Sequence, residues 1–423
     1  MKIVFENIRK YNTWDGIPFS IGFVRNAYLE QVKRYFGSKL IKVIVGQRRA
    51  GKSYLLRQII HLLIAEYQVN NKNIFYLNKE FIAFDEINTA SDLDELFQYY
   101  KTKLKVEGKI YIFLDEIQNI EKWEKFVNSY SQDFSNEYEL FISGSNSNLL
   151  SGELATLLSG RYVEFVAYPF SLLEFSNYHK LALGKASFIR YLKTGGLPEL
   201  LNFEDNEIKR HYIEDLKNTI ILRDIIQRKK IKDTELLEDV FKFLITNIGN
   251  QTSLLSLVKY FKSKQRKTNY ETISSYVSHL TETFVIHEVS RYDIRGKQVL
   301  SGEKKYYLND LSFKNYIFGY YPSDMGYHLE NFVYLKLKRN GYIVTIGKLA
   351  AKEIDFIAEK SGKTLYVQVA YLLNSHEVIE REFGNLLMID DNHEKIVISM
   401  DDIQFANEKG IKHLRPWEFL NEV

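Results

Sequence analysis

The chain has 423 residues, of which 45% are hydrophobic and 26% are charged. These values are ordinary for folded domains and exclude a disordered, collagen-like or rod-like coiled-coil protein, and the length predicts two to four domains. With 57 Lys and Arg against 54 Asp and Glu, the net charge of +3 excludes a global basic field, so any nucleic-acid or membrane site has to come from a local patch.

Cysteine does not occur in the sequence, which excludes disulfides, zinc ribbons and a cysteine nucleophile. The N-terminal residues have no long apolar core of the kind that marks a signal peptide. No stretch reaches the roughly 18 apolar residues that span a bilayer. We therefore predict a cytoplasmic protein that does not contact a membrane.

Short apolar runs alternate with helical patterns over the first 168 residues, after an amphipathic stretch at Arg25–Phe36. Runs of this length with helices between them predict a parallel α/β sheet that is covered on both faces. The predicted strands are Ile41–Val45, Ile74–Leu77, Ile110–Leu114, Leu140–Ser143 and Tyr162–Val166.

The first predicted strand runs into Gly46–Ser53, which fits the pattern G-x-x-x-x-G-K-[ST] of a phosphate-binding loop. The glycines let successive backbone N–H groups and the next helix N-terminus face phosphates. Lys52 is expected to reach the β- and γ-phosphates of ATP, and the Ser53 hydroxyl to complete the shell of a Mg²⁺ ion. The candidate nucleotide-binding residues are Gly46, Gln47, Arg48, Arg49, Ala50, Gly51, Lys52, Ser53 and Tyr54.

A second candidate motif is the strand Ile110–Leu114 followed by Asp115 and Glu116. Open α/β sheets bind ligands at the carboxyl ends of their strands, which is where these carboxylates fall. We expect Asp115 to hold Mg²⁺ and Glu116 to polarise the attacking water. Because another strand candidate lies between the two motifs in sequence, their strands need not be neighbours. This favours the P-loop ATPases that carry a catalytic glutamate.

Two further residues are candidates for catalysis. Asn146 follows the strand Leu140–Ser143, where a polar side chain could contact the γ-phosphate or orient water. Ser145 is the alternative residue for this role. A third interpretation is an ordinary turn after the strand, without a role in catalysis. Arg161 is a candidate arginine finger that stabilises transition-state charge, normally on the ATP of a neighbouring subunit, which would require a homo-oligomer. The alternative for Arg161 is a surface salt bridge.

Taken together, several motifs resemble the prokaryotic AAA-type ATPases that carry a C-terminal domain of unknown function with a restriction-endonuclease-like fold. The resemblance runs from about residue 20 to the end and implies an ATPase core, a helical lid, a winged helix and a nuclease-like tail. The matching segments besides the P-loop are Leu114–Gln118, Ser143–Asn146, Leu158–Arg161, Pro169–Ser171, Gly195–Glu199 and Leu222–Ile225. Read without the resemblance, Gly195 and Gly196 form a turn between helices.

The expected domains are residues 1–168 for the P-loop core, 169–232 for the lid, 233–322 for a winged helix-turn-helix and 323–423 for the nuclease-like α/β domain. The winged helix is indicated by three helical patterns followed by two strand-like segments. These five segments are Leu236–Ile248, Leu254–Phe261, Tyr270–Thr283, Val285–Tyr292 and Lys304–Leu308.

A basic segment, Lys259–Lys267, places five basic residues within nine, with Tyr and Phe between them. It directly precedes the candidate recognition helix, so its side chains are placed to contact duplex phosphates. Winged helices also serve as protein-docking elements. Double-stranded DNA and a protein partner are therefore the two alternatives for this surface.

The last domain lacks half of the residues that restriction-type nucleases need. A carboxylate on the first helix is present as Glu330, and the strand-end carboxylate as Asp355. Gln368 and Ala370 occupy the positions of the Glu-x-Lys pair, which would bind the metal and activate water. We therefore predict a domain of this fold that does not cut DNA.

The combined prediction is a Mg²⁺-dependent ATPase that couples its nucleotide state to a winged helix and a nuclease-like tail. The alternatives are a nucleotide-gated protein-interaction switch with little turnover and an ATP-regulated nuclease.

Overall fold

The chain divides into two units, Met1–Ala167 and Tyr168–Val423, in a computed structural model that describes residues 2–150, 160–402 and 409–420. Each unit contains its own sheet. The strands of the first unit are β1 (Ile41–Val45), β2 (Ile74–Asn78), β3 (Ile110–Asp115), β4 (Tyr138–Gly144) and β5 (Tyr162–Val166). Its helices are α1 (Lys2–Arg9), α2 (Asn26–Lys33), α3 (Lys52–Ala65), α4 (Ala90–Leu104) and α5 (Trp123–Gln132).

The sheet of the first unit is entirely parallel and has the strand order β2-β3-β4-β1-β5. Every residue of β1, β2 and β4 is buried, as expected of strands that are covered on both faces. The predicted parallel α/β sheet is confirmed. Strand β4 lies between β1 and β3, so the P-loop strand and the Asp115 strand are not neighbours.

Helix α3 illustrates why these elements form where they do. It begins directly after the P-loop and carries apolar residues at helical spacing, including Leu55, Ile59 and Leu63, which are buried in the core beside β1. Helix α4 begins at a capping box in which Thr89 accepts from the Asp92 N–H and Asp92 accepts from the Thr89 N–H.

The second unit combines helices with a mixed sheet. Its helices are α6 (Leu172–Tyr178), α7 (Lys185–Thr194), α8 (Asn206–Thr219, continued by a π-helical segment, Ile220–Gln227), α9 (Thr234–Thr246), α10 (Leu254–Ser263), α11 (Tyr270–Glu282), α12 (Ser312–Phe318), α13 (Met325–Arg339) and α14 (His376–Leu387). Its strands are β6 (Thr252–Ser253), β7 (Ile286–Asp293), β8 (Gln298–Leu308), β9 (Ile343–Leu349), β10 (Lys352–Lys360), β11 (Lys363–Val369), β12 (Glu394–Ile398) and β13 (Ile411–Leu414).

One sheet of eight strands, in the order β13-β12-β11-β10-β9-β7-β8-β6, runs through the second unit. The antiparallel ribbon β7–β8 joins the C-terminal strands because Arg291–Asp293 of β7 pair in parallel with Ile346–Lys348 of β9. The boundary expected near residue 322 therefore falls between two parts of one sheet. The division of this unit into lid, winged helix and tail stays a prediction.

The Gly195–Gly196 pair is a site of close packing, which the expectation of a simple turn did not include. A Cβ on Gly196 would overlap the carbonyl oxygen of Phe170, and a Cβ on Gly195 would overlap the carboxylate of Asp310. The Gly196 N–H donates to Asp310 Oδ2 at 2.7 Å, and the Gly196 carbonyl accepts from the Phe170 N–H at 2.6 Å. Only glycine lets the two backbones approach in this way.

We expect Gly196→Ala to lower the free energy of unfolding by about 1–3 kcal/mol, because the added methyl overlaps backbone atoms that cannot rotate away. Denaturant unfolding followed by circular dichroism measures the change. Gly384→Ala is the matched control, since a Cβ there meets no atom within 4 Å and the residue lies inside α14. Equal stability of the two variants would contradict the packing argument.

Candidate nucleotide-binding site

The loop between β1 and α3 has the backbone that a phosphate-binding loop requires. Gly46 has φ +146°, and a Cβ there would overlap the carbonyl oxygen of Ala167. Gly51 has φ +95° and caps the N-terminus of α3. Both conformations favour glycine, which explains the two glycines of the motif. The N–H groups at the start of α3 have no helical acceptor and are suited to bind an anion.

Lys52 is buried within this loop, with only 4% of its surface exposed. Its Nζ donates to the carbonyl oxygens of Gly46 at 3.1 Å and of Gln47 at 3.3 Å. The same Nζ lies 3.5 Å from Glu116 Oε1. The ammonium thus links the loop after β1 to the carboxylate after β3, across the intervening end of β4.

Asp115 ends β3 and is fully buried. Its Oδ2 accepts from the Tyr76 hydroxyl at 3.1 Å and from Asn78 Nδ2 at 2.9 Å, and its Oδ1 accepts from the Ser143 hydroxyl. Burial, reinforced by the charge of Glu116, raises the pKa of Asp115, while hydrogen bonds from Ser143 and Ser53 oppose the shift. The carboxylate is oriented by neutral donors, so a cation beside it would be strongly favoured.

Glu116 has φ +53°, an uncommon conformation for a glutamate. Gln118 Nε2 donates to Glu116 Oε2 at 2.6 Å, and the Glu116 N–H donates to the Ser143 hydroxyl at 3.2 Å. Burial alone would raise the pKa of Glu116, but the Lys52 ammonium and the Gln118 amide outweigh it, so the pKa is lowered. Glu116 is therefore an ionised carboxylate at neutral pH.

Four residues that the sequence reasoning did not select support this site: Tyr76, Asn78, Gln118 and Arg25. Arg25 is buried and donates from Nη1 to the carbonyl oxygen of Ala50 at 3.2 Å, behind the P-loop. Asn78 could have been predicted from the sequence as part of this site. It is a polar residue that ends an apolar strand, and the carboxyl ends of parallel strands meet at one edge of the sheet. Asn78 pairs with Asp115 in the register of β2 and β3.

Of the remaining P-loop candidates, Gln47 and Ala50 are fully buried, whereas Arg49 and Tyr54 are exposed. Arg48 forms an ion pair with Glu80 at 2.7 Å. Tyr54 is partly exposed, and the Arg57 guanidinium lies 4.0 Å from the centre of its ring. Ser145 and Asn146, the two alternatives for a polar side chain after this strand, are both buried directly after β4. The roles of these residues toward a nucleotide stay predictions.

Arg161 lies at the opposite end of the sheet from the P-loop of its own chain. It directly precedes β5, and its carbonyl accepts from the N–H of Ile41, the first residue of β1. The P-loop follows the other end of β1, roughly 16 Å away for a five-residue strand. The Arg161 side chain is exposed and donates to Asn128 Oδ1 at 2.9 Å. Leu158 and Ser159, which precede it in the motif, lie outside the described residues.

The basic segment of the second unit separates into two kinds of residue. Lys259 and Lys262 on α10, and Lys264 and Lys267 after it, are exposed. Arg266 instead forms ion pairs with Glu235 and Asp239 of α9, each at 2.8 Å. The lysines are therefore the residues of this segment that are available to a partner.

The C-terminal candidates are brought together as expected from their strands and helix. Glu330 lies on α13, Asp355 on β10 and Gln368 on β11, and Gln368 Oε1 accepts from the Asp355 N–H at 3.4 Å. Two residues that the sequence reasoning missed, Lys305 and Glu353, belong to the same cluster. No local pattern points to Lys305, because β8 is distant from these elements in sequence.

Sequence comparisons place the first unit in a known domain class. The AAA domain family matches residues 38–176, and a domain of unknown function matches residues 185–324. An uncharacterized protein of Haemophilus influenzae is 38% identical over 381 residues, which cover 89% of this chain and 92% of that protein. The chain belongs to the same family. Its AAA-type P-loop core, predicted from the sequence motifs, is confirmed.

This AAA-domain family extends to archaea. Uncharacterized protein MJ1544 of Methanocaldococcus jannaschii is 30% identical over 349 residues, covering 79% of this chain and 75% of that protein. Among solved structures, the Aeropyrum pernix ORC1 protein in complex with DNA covers 72% of this chain and 95% of its own, with 14% identity and a TM-score of 0.33. The family assignment rests on the sequence matches.

Two negative findings apply to residues 2–150, 160–402 and 409–420. In these ranges no helix combines the length and the apolar character that crossing a membrane demands. The same ranges contain no group of three or more His, Asp or Glu side chains with the geometry to hold a metal ion by themselves.

Proposed function

We propose that this protein is an ATPase that binds ATP at Gly46–Tyr54 and hydrolyses it with Glu116 as the residue that activates water. The observation that carries the proposal is the convergence of Lys52, Asp115 and Glu116 at one buried edge of the parallel sheet. A buried cation next to two carboxylates, beside the N-terminus of α3, is suited to a phosphate chain and to in-line attack on it.

The Lys52–Glu116 pair suggests how binding prepares the site. At 3.5 Å the pair is loose, and Lys52 also donates to two loop carbonyls. A triphosphate in the loop would attract the ammonium with several negative oxygens, so Lys52 would turn toward the β- and γ-phosphates. Glu116 would then keep Gln118 as a donor and could accept a hydrogen bond from water on the oxygen that Lys52 leaves.

The residues present also fit a Mg²⁺ ion. The Ser53 hydroxyl acts on Asp115 by lowering the pKa of its carboxyl group, and magnesium sites in such proteins combine one or two protein oxygens with phosphate oxygens. These two residues would hold the ion. When bound, Mg²⁺ neutralises phosphate charge and thereby favours departure of the γ-phosphoryl group.

The first test separates binding from chemistry. Lys52→Ala should abolish detectable ATP binding or turnover, because the phosphates lose their point charge. Glu116→Gln should bind ATP and lose hydrolysis, because its shape is retained while water loses the carboxylate. Nucleotide binding by fluorescence titration and phosphate release measure the two steps. Glu121→Gln, an exposed glutamate on the same loop, is the matched control and should match the parent.

If Glu116→Gln hydrolyses ATP at the parent rate, Glu116 is not the activating base. If Lys52→Ala and the parent bind ATP equally, the P-loop assignment itself fails. Parent protein that binds ATP without measurable turnover would favour the nucleotide-gated switch.

For Arg161 we propose the trans arginine-finger role, with a homo-oligomer as the active form. The support is its position: it is exposed, and it lies roughly a strand length from its own P-loop, which puts the nucleotide of its own chain out of reach. Asn146 is proposed as the side chain that senses the γ-phosphate, from its buried place after β4.

Arg161→Ala should retain ATP affinity and lower turnover, by up to ~10³-fold where the finger is fully engaged. Mixing it with Glu116→Gln should restore part of the activity, since a mixed interface combines one intact Glu116 with one intact Arg161. Phosphate release over a series of protein concentrations measures this. Arg9→Ala is the control, because Arg9 is a comparably exposed arginine of the same unit. If mixing the two variants restores no phosphate release at any protein concentration, the trans role of Arg161 is contradicted.

We further propose that the second unit contains a winged helix, built from α9, α10, α11 and the ribbon β7–β8, and that its exposed lysines contact duplex DNA. The support is the four lysines on and after α10, next to a cleft of about 620 Å³ lined by cations and aromatic rings, among them Lys242, Phe243 and Tyr260. The cytoplasmic location and the nuclease-like fold of the tail stay predictions.

Replacing Lys262, Lys264 and Lys267 with Ala should reduce the salt slope of duplex binding by about 0.9 for each lost phosphate contact. Fluorescence anisotropy of a labelled duplex between low and moderate salt measures the slope. Lys363→Ala removes an exposed lysine of the same unit outside the segment and should leave the slope unchanged. Parent protein that does not bind DNA would instead favour a protein-docking role for this surface.

A further inference from the structure

The carboxylates of the C-terminal cluster surround a lysine. Lys305 lies on β8 with 5% of its side chain exposed. Its Nζ is 2.8 Å from Glu330 Oε1 on α13, 2.8 Å from Glu353 Oε1 on β10 and 4.0 Å from Asp355 Oδ1 on the same strand. One ammonium therefore contacts carboxylates from two other elements of the unit.

Neutral donors also bind these carboxylates. The Tyr307 hydroxyl donates to Glu330 Oε1 at 2.6 Å, and the Val369 N–H donates to Asp355 Oδ2 at 2.8 Å. Gln251 Nε2 donates to Glu353 Oε2. Each carboxylate thus has a donor other than Lys305, and in Glu353 and Asp355 that donor binds the oxygen that does not face the ammonium.

The residues do not fit the divalent metal that the nuclease-like resemblance implies. Mg²⁺ requires oxygen ligands at about 2.0–2.1 Å in octahedral geometry, and the point at which these oxygens converge is taken by Lys305 Nζ. On the neighbouring strand, Gln368 offers an amide where a carboxylate is needed. Among the described residues no group of three or more acidic or histidine side chains, this cluster included, could hold a metal ion as it stands.

We propose that Lys305 is the resident cation of this cluster: it takes the position that a divalent metal would need, ties β8 to α13 and β10, and makes the cluster independent of metal. The function of the cluster is then to hold the ribbon β7–β8 against the C-terminal strands. A charge that is covalently part of β8 cannot dissociate, whereas a metal ion can.

The charge balance makes this proposal testable. Removal of one partner from a buried charge cluster leaves the others uncompensated, which is strongly destabilising. Without Lys305, the partly exposed Glu353 and the buried Glu330 and Asp355 would face one another without a cation, and burial already raises the pKa of Asp355. The vacated position would then attract the kind of ion that oxygen ligands prefer, a small divalent cation.

The experiment uses the full chain without nucleotide, with Asp115→Asn in every sample so that the P-loop site contributes no metal binding. Mn²⁺ binding is measured by titration calorimetry, and stability by the unfolding midpoint Tm. Lys305→Ala should have a lower Tm than the parent background. Saturating Mn²⁺ should raise that Tm by about 5 °C or more, through one bound ion that the background lacks.

Lys304→Ala is the matched control, because Lys304 is the adjacent lysine of β8 and pairs with Glu288 outside the cluster. It should show no Mn²⁺ binding and no Mn²⁺-dependent Tm. The proposal is overturned if the background with Lys305 intact binds Mn²⁺ as well as Lys305→Ala does. It is overturned equally if Lys305→Ala folds and binds no Mn²⁺.

A second variant covers the case in which Lys305→Ala does not fold without metal. Lys305→Met combined with Glu330→Gln removes one charge of each sign, and it should fold and show no response to Mn²⁺. Refolding of Lys305→Ala only in the presence of Mn²⁺ supports the proposal. Failure of Lys305→Ala to fold at any Mn²⁺ concentration, while the double variant folds, shows that a metal does not fit the position and overturns it.

Discussion

Burial of three charges at the carboxyl edge of the five-stranded sheet is the constraint on which the first unit depends. Lys52 begins the helix after β1, and Asp115 and Glu116 lie at the end of β3, on the far side of β4. These residues meet because parallel strands end on the same side. In a buried site each unpaired charge is costly, so neutral donors such as Tyr76 and Ser143 hold the carboxylates in place. The result is a polar cluster that is preorganised before any ligand enters.

The second unit also contains a buried lysine among carboxylates, but this lysine is held more tightly than Lys52. Lys305 lies 2.8 Å from each of two glutamates, whereas Lys52 lies 3.5 Å from its single glutamate. A loose pair beside an open loop of N–H groups is readily exchanged for phosphate. A lysine enclosed by three carboxylates has its charge fully used within the protein. We therefore propose that the same residue type serves ligand binding in one unit and cohesion in the other.

Much of the first unit was predictable because its signals are local. Apolar runs located the strands, with ends that differ from β1–β5 by two residues at most, and the P-loop pattern located the phosphate loop. Asp115 and Glu116 followed from the rule for strand ends. The prediction was less complete in the second unit. The strand β6 was not expected, and β8 begins at Gln298 rather than at the predicted Lys304. The apolar pattern missed the first half of β8 because that half is mostly exposed.

The sequence by itself determined the AAA-type core, the residues of its phosphate loop and the two carboxylates, since each depends on spacing within a short segment. Only the tertiary structure decided which distant side chains support them. Three features depend on contacts between segments far apart in sequence: the position of Arg25 behind the P-loop, the position of Arg161 at the far end of β1, and the pairing of β7 with β9. Lys305 is the clearest case. The sequence around it gives no signal of its partners, because the three carboxylates near it come from other elements that only folding brings to β8.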